Sequence, residues 1–127
     1  MAVGTEVRVV LEDKPGTIAR IASTLGNAKV NITGFAVSSG SGRFFVDDAA
    51  KALTALTKAG ISAWNAPVAC FELENKPGTL ARIAGALAER GINVDCGYAA
   101  TTANPSRITA VLAVSDLKAA LEIEKNL

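Results

Sequence analysis

The chain repeats one motif at a separation of 62 residues, and this repeat constrains its fold more than any other feature. Residues 11–22 read LEDKPGTIARIA, and residues 73–84 read LENKPGTLARIA. The similarity continues to Val30-Asn31-Ile32 in the first copy and Ile92-Asn93-Val94 in the second. Because a repeated segment predicts a repeated structural unit, we expect two small domains, at residues 1–66 and 67–127.

The composition excludes several classes of protein. The net charge of +1 comes from dispersed charges, so the chain lacks the basic stripe that nucleic acids require. No apolar run approaches a membrane span, and the first residues lack the apolar core of a signal peptide. These features predict a cytoplasmic protein without a membrane or nucleic-acid partner.

The residues that usually bind metals or transfer protons are scarce. The chain has no histidine and only two cysteines, Cys70 and Cys96, whose spacing forms no metal-ligand pattern. Both cysteines lie in strand-like runs and are interpreted as small buried hydrophobic residues. We therefore expect no metal, no cofactor and no disulfide.

Hydrophobic periodicity predicts the order β-α-β-β-α-β in the first half. Val7, Val9 and Leu11 alternate with polar Glu6, Arg8 and Glu12, as in a half-buried strand, and the spacing then becomes helical. The predicted strands are Glu6–Glu12, Val30–Val37, Arg43–Val46 and Ile61–Asn65. The predicted helices begin at Thr17 and after Asp47-Asp48, and end at Gly26-Asn27 and Gly60, with Ala22 in the apolar stripe of the first.

The second half follows the same plan but has no obvious last strand. Its predicted strands are residues 69–73, Asn93–Ala99 and Arg107–Val114, and its helices are a segment ended by Gly91 and one capped by Ser115-Asp116. The sequence thus predicts an α+β protein of two ferredoxin-like βαββαβ units, each with an antiparallel four-stranded sheet and both helices on one face. A strand from the first unit or from a second chain would complete the second sheet.

The repeated Glu-Asp/Asn-Lys-Pro-Gly-Thr string lies where a strand leads into a helix. Proline suits the first helical turn, and glycine lets a ligand approach the backbone closely. The N–H groups of that turn carry a partial positive charge and attract a carboxylate. Asp13 and Asn75 stand beside this turn, either as helix caps or as ligand contacts. An ordinary turn and cap would give the same pattern, so a purely structural role stays open.

The segment 73–80 followed by Gly91-Ile92-Asn93-Val94 resembles the ACT domain, a small βαββαβ module, and the first copy resembles it almost as well. The resemblance covers nearly the whole chain as two tandem units without an attached enzyme. It implies that a free amino acid binds where two units pair side by side, either within the chain or in a homodimer.

The resemblance also assigns candidate ligand contacts. Asn75 and Gly78 match the family's ligand-contacting loop, and Asn93 matches an asparagine that often serves the partner's site. The anionic Asp13 would repel an α-carboxylate, so we expect unequal sites and favour the second. Ile18 and Leu80 are interpreted as lining the side-chain pocket or as core residues. The full candidate set is Asp13, Gly16, Thr17, Ile18, Asn31, Asn75, Gly78, Thr79, Leu80 and Asn93.

The resulting hypothesis is a regulatory or sensor protein that binds a free amino acid and signals this to a metabolic partner enzyme. Catalysis is not expected, because no nucleophile and base can be paired. Two alternatives stay open. One is an RNA-binding module similar to an RRM, suggested by the segment Gly42–Val46, in which only one of the adjacent phenylalanines can stack on a base. The other is a structural pair that binds no ligand.

Overall fold

The structure, a computed structural model, describes residues 2–123 and contains the predicted order of elements. The elements are β1 (Ala2–Val10), α1 (Thr17–Asn27), β2 (Ile32–Ser38), β3 (Ser41–Val46), α2 (Ala49–Lys58), β4 (Ala63–Glu74), α3 (Thr79–Glu89), β5 (Val94–Ala100), β6 (Arg107–Val114) and α4 (Leu117–Ile123). The hydrogen-bonded strand order is β2-β3-β1-β4-β6-β5. The predicted α+β class with ferredoxin-like units is therefore confirmed. None of the helices in residues 2–123 is long and apolar enough to cross a bilayer.

The chain forms two compact units, of which one is Thr5–Ala66. In this unit β1 lies between β3 and the start of β4, where the Val10 amide donates to the Ser62 carbonyl at 3.2 Å. Val7 and Val9 of β1, and Leu11 just after it, pack in a core with residues of both helices. Phe44 of β3 is the largest side chain in that core and is 2% exposed.

The other unit combines Pro67–Leu127 with Met1–Gly4. Its sheet has the order β5-β6-β4-β1, so the start of β1 takes the place of the strand that the second repeat lacks. The prediction of two separate strands at Ile61–Asn65 and residues 69–73 is wrong, because β4 runs without interruption from Ala63 to Glu74. The compact units differ from the sequence domains 1–66 and 67–127, which remain a prediction. Phe71 of β4, 1% exposed, fills the core between α3, α4 and the sheet.

The helix ends follow the predicted capping signals. Asp48 and Asp116 accept hydrogen bonds from the Lys51 and Ala119 amides at 3.0 Å, as their predicted capping role requires. The prediction that α1 ends at Gly26-Asn27 is confirmed, and Lys29, two residues after the helix, adopts the left-handed conformation with φ 64°. Gly91, with φ 66°, occupies the matching position after α3. A side chain in this conformation is strained, whereas glycine is not.

Three predictions about exposure are wrong. Glu6, predicted on the polar face of β1, is fully buried, and its Oε2 accepts from Arg8 Nε at 2.7 Å and Arg43 Nη1 at 2.8 Å. These charge-assisted bonds compensate the burial of the carboxylate. Ala22, predicted in the apolar stripe of the first helix, is exposed. Cys70 and Cys96 are partly exposed rather than buried, and they form no disulfide with each other.

Candidate functional site

The two Pro-Gly loops have nearly the same backbone. In each, the lysine amide donates to the carbonyl of the glutamate two residues earlier, at 2.9 Å in the first loop and 3.0 Å in the second. The helices then start after Gly16 and Gly78, so Pro15 and Pro77 lie before the first turn rather than within it. The repeat thus encodes one loop conformation twice.

Glycine is required in these loops by its backbone conformation. Gly16 has φ 93° and Gly78 has φ 89°, values that strain any residue with a Cβ atom. A Cβ atom built on either glycine would meet nothing within 4 Å among the described atoms. The space in front of each loop is therefore open to a ligand.

The first helical turns offer backbone donors without an acceptor. Gly16 and Gly78 are the N-cap residues and have no side chain to accept a bond, and neither first turn contains an acidic residue. In residues 2–123, no hydrogen bond involves the amide N–H of Ile18 or Ala19 in α1, or of Leu80 or Ala81 in α3. Aligned peptide dipoles add a partial positive charge, so each turn is suited to an anionic group such as a carboxylate.

Asp13 and Asn75 do not cap the helices. Asp13 Oδ2 accepts a long hydrogen bond of 3.3 Å from Ser39 Oγ. The Asn75 backbone amide donates to the Ser106 carbonyl at 2.7 Å, while its exposed side-chain amide forms no hydrogen bond with the rest of the described chain. The Asn75 side chain is thus available to a ligand, whereas Asp13 has a competing partner.

The hydroxyl groups of Thr17 and Thr79 are shielded from solvent and unpaired within the described residues. Thr79 is 5% exposed, and an unsatisfied buried hydroxyl destabilises the fold by about 1–3 kcal/mol. Both threonines occupy the first position of their helix, next to the exposed donors. The loops therefore retain unused hydrogen-bonding capacity on side chains as well as backbone.

Asn31 and Asn93 lie at the other end of their sheets from the loops. In the first unit, Val10 pairs with Ser41 near the loop while Ile32, after Asn31, pairs with Val46. Five residues of strand separate these pairs, or about 17 Å. In the second unit the pairs Glu74–Arg107 and Val94–Val114 are seven residues apart along β6, or about 23 Å. A single unit therefore does not bring its asparagine and its loop together.

The backbone amide of each asparagine is hydrogen-bonded to the residue that precedes the capping aspartate of the next helix. The Asn31 amide donates to Asp47 Oδ1 at 3.0 Å, and the Asn93 amide donates to Ser115 Oγ at 2.9 Å. The Asn93 side chain also donates to Asp95 Oδ1 at 2.8 Å. These bonds fix the start of β2 and β5, so each asparagine has a defined position on its unit's surface.

An exposed ion pair recurs in both loops. Lys14 Nζ lies 2.8 Å from Glu12 Oε2, and Lys76 Nζ lies 2.7 Å from Glu74 Oε2. The hydrogen bond and the charge of each lysine lower the pKa of the glutamate carboxyl from its ordinary value of 4.5. The carboxylates therefore stay ionised at neutral pH, and each partly neutralises its neighbouring lysine.

Two cavities with both polar and apolar walls flank the first loop. One, of about 290 Å³, lies between the loop and the β2–β3 turn, and the other, of about 460 Å³, lies between the loop and the start of β4. Their walls include the charged side chains of Glu12, Asp13, Lys14 and Arg20. Ile18, 38% exposed, lines the smaller cavity, so its alternative interpretation as a core residue is wrong.

The cavity beside the second loop is apolar. It has a volume of about 410 Å³ and lies between α3 and the strands β4, β5 and β6. Leu80, 62% exposed, lines it, which also excludes Leu80 from the core. Its lining residues are Leu73, Leu80, Ile83, Ala84, Leu87, Val94, Gly97, Tyr98, Ala99, Ile108, Ala110 and Leu112. None of these carries a charge.

Sequence analysis missed Gly97 and the cavity that it borders. Gly97 lies 62 residues after Phe35, so the two residues occupy the same position in their repeats. Their places in the sheets correspond as well, since Phe35 of β2 pairs with Phe44 of β3 and Gly97 of β5 pairs with Leu112 of β6. The Phe35 ring stacks on Phe44 with centroids 6.5 Å apart. Aligning the two repeats beyond the loop would have revealed this loss of an aromatic side chain.

In the RRM-like alternative, only one of the two adjacent phenylalanines could stack on a base. Phe44 is 2% exposed and packs in the core, so its ring is not available for stacking on a base. Phe45 is partly exposed and lies on the other face of β3. The matching segment of β6 contains no aromatic residue.

Comparisons with known proteins agree with these observations. The family model of the ACT domain matches residues 5–50 and 70–127. No curated protein matches the sequence. Protein BT0572 from Bacteroides thetaiotaomicron has a similar structure, with a TM-score of 0.87 and 24% identity over 98% of this chain and 88% of that chain.

Two further solved structures extend the comparison. The ligand-free regulatory subunit of aspartate kinase from Thermus thermophilus aligns with a TM-score of 0.70 and 20% identity, over 98% of this chain and 93% of that chain. E. coli aspartokinase III in complex with lysine and aspartate aligns with a TM-score of 0.60 and 13% identity, over 100% of this chain and 33% of that chain. At these identities the similarity establishes the fold.

Proposed function

Because this chain belongs to the ACT domain family, with two ACT units in tandem, we propose that it binds a free amino acid and regulates a partner protein in response. Family membership supports the broader role, which is regulation through a bound small molecule. The amino acid, the site and the partner enzyme are the specific parts of the proposal.

The observation that carries the proposal is the set of unpaired N–H donors at the start of α3, facing open space in front of Gly78. An α-carboxylate complements these donors and the helix dipole. Asn75 lies beside the turn with an unengaged amide that can bind a polar group of the ligand. The neutral Asn75 suits a carboxylate better than the anionic Asp13 does, so the second loop is the stronger site.

A second unit must complete the site as it is proposed. Asn93 belongs to the proposed ligand contacts, yet within its own unit about 23 Å of strand separates it from the Pro-Gly loop. An asparagine from another ACT unit would therefore supply the contact, as in a homodimer or an intrachain pseudo-dimer. Binding would then stabilise the paired arrangement by mass action.

We propose a non-catalytic role in amino-acid metabolism. The absence of histidine from the sequence, and the pairing of both loop lysines with glutamates, support this role. The similar aspartate kinase structures include a regulatory subunit and a complex with amino acids, which supports an enzyme of amino-acid metabolism as the partner. Ligand binding would reach that enzyme as a coupling free energy. The cytoplasmic location stays a prediction.

A thermal-shift panel with the twenty amino acids tests the proposal. We expect one amino acid or a few chemically related ones to raise the Tm of the full chain. Gly78→Asn should reduce the shift, because asparagine tolerates the left-handed conformation but places a side chain over the donors. Gly91→Asn, a matched change at the other end of α3, should leave the shift intact. Well-folded protein whose Tm responds to no amino acid would contradict the proposal.

A further inference from the structure

We propose that the apolar cavity beside α3 binds the side chain of a large aliphatic or aromatic amino acid, which defines the ligand class of the second repeat. This inference rests on the proposed amino-acid-binding function and specifies its ligand. It is supported by the volume, the lining residues and the position of the cavity. It is also supported by the contrast with the first repeat, in which Phe35 stands at the position of Gly97.

The cavity borders a position at which the two repeats differ. Phe35 of the first repeat stacks on its cross-strand neighbour Phe44, whereas the matching Gly97 has no side chain to place over Leu112. A Cβ atom at Gly97 would already lie 2.7 Å from Leu112 Cδ2. Leu112 thus packs against the Gly97 backbone, and both residues line the cavity of about 410 Å³ that is open to an apolar group from outside the chain.

The cavity walls select for apolar chemistry. Leucine, isoleucine, valine and alanine side chains provide most of the surface, and no charged residue lines it. An ammonium or carboxylate at the end of a ligand side chain would lose its hydration there without gaining a partner. The volume of about 410 Å³ lies within the range of roughly 300–1,000 Å³ that small-molecule sites occupy.

Leu80 connects the cavity to the proposed carboxylate site. Its side chain lines the cavity, and its backbone N–H is one of the unpaired donors in the first turn of α3. One ligand can therefore place an α-carboxylate on the backbone and an apolar side chain in the cavity. In the first repeat, the cavity that Ile18 lines also contains Glu12, Asp13 and Lys14, so it does not offer this combination.

Calorimetric titration of the full chain with a series of unbranched amino acids tests the ligand class. From alanine to norleucine, each added methylene should tighten Kd about fourfold, as expected for burying apolar surface. Lysine, which has a similar alkyl chain with a terminal charge, should bind at least tenfold more weakly than norleucine. Hexanoate, which lacks the amino group, should also bind at least tenfold more weakly.

Matched variants locate the binding. Ala84→Phe places a ring in the cavity from α3, whereas Ala22→Phe makes the same change at the matching exposed position of α1. We expect Ala84→Phe to weaken norleucine binding at least tenfold and Ala22→Phe to leave it unchanged. Ala99→Ile, on β5, fills the cavity independently if the helix substitution impairs folding.

The outcomes separate this inference from the function on which it rests. If only polar or charged amino acids bind, the ligand class is wrong while amino-acid binding stands. If hexanoate binds as tightly as norleucine, the occupant is a simple carboxylate and the inference is overturned. Norleucine binding that resists both cavity-filling variants would also overturn it. If no amino acid binds to folded protein, the proposed function itself fails.

Discussion

The two repeats share a loop but differ in what surrounds it. Both loops place a left-handed glycine before a helix with open N–H donors. The cavity between the first loop and the β2–β3 turn includes charged side chains among its walls, whereas the second loop borders an apolar cavity of about 410 Å³. Asp13 and Phe35 of the first repeat become Asn75 and Gly97 in the second. The comparison teaches that the repeat keeps one loop conformation twice while the side chains around the loop differ.

The cores also differ in which strand supplies the large aromatic residue. Phe44 of β3 fills the first core, and Phe71 of β4 fills the second. Phe44→Ala and Phe71→Ala should each lower the free energy of unfolding by about 3–5 kcal/mol, because each leaves a large cavity. Urea unfolding monitored by circular dichroism measures both. If either variant lowered the free energy of unfolding by less than about 1 kcal/mol, the two rings would not contribute equally to stability.

The loop asparagine and aspartate should differ in ligand binding. Asn75→Ala should weaken binding of the best amino acid by about 1–3 kcal/mol if its amide contacts the ligand. Asp13→Ala should change the affinity much less, since its loop is the weaker site. Titration calorimetry measures both, with Asn27→Ala as a control for removing an exposed asparagine. Equal losses from the Asn75 and Asp13 variants would contradict the proposed inequality of the loops.

Lys29 and Gly91, which follow the C-terminal ends of α1 and α3, allow a paired test of backbone strain. Lys29→Gly should stabilise the protein by about 1 kcal/mol, because lysine is strained at φ 64° and glycine is not. Gly91→Ala should destabilise it by about the same amount. Thermal unfolding measures the two changes. Shifts of the same sign would contradict the matched roles of these positions.

The smallest expected effect concerns the ion pairs that both loops share. Lysine lowers the pKa of Glu12 and of Glu74, so both carboxyls should titrate below 4.5. Their stabilising contribution is present above pH 4.5 and is lost as the pH falls through the lowered pKa. Lys14→Gln should raise the pKa of Glu12 alone, as NMR titration of the side-chain carboxyls would show. A concurrent change at Glu74 would contradict independent pairs.

Local signals made much of the fold predictable. Alternating residues in β1, the Asp48 cap and Gly60 each encode structure within a few positions, and the predicted order of elements followed from them. The sequence predicted that a strand from the first unit or from a second chain would complete the second sheet. It did not identify Ala2–Gly4 as that strand, because Ala2–Gly4 and β4 are distant in sequence. The continuity of β4 was missed since Pro67 usually marks the end of a strand.

The candidate site was predictable only in its repeated part. The loop residues were identified because the string around Gly16 and Gly78 occurs twice. The cavity was missed because the exchange of Phe35 for Gly97 matters only when the strand register places both on the helix-covered face of the sheet. The separation of Asn93 from its own loop likewise depends on register rather than on sequence spacing.

The central claim is that the first turn of α3 binds the carboxylate of an amino acid. Amide NMR spectra of ¹⁵N-labelled full-length protein, recorded with each of the twenty amino acids, test it most directly. The account predicts that a saturating apolar amino acid shifts the amide signals of residues 78–81 strongly and those of residues 16–19 weakly or not at all. Folded protein in which the signals of residues 78–81 respond to none of the twenty would contradict it.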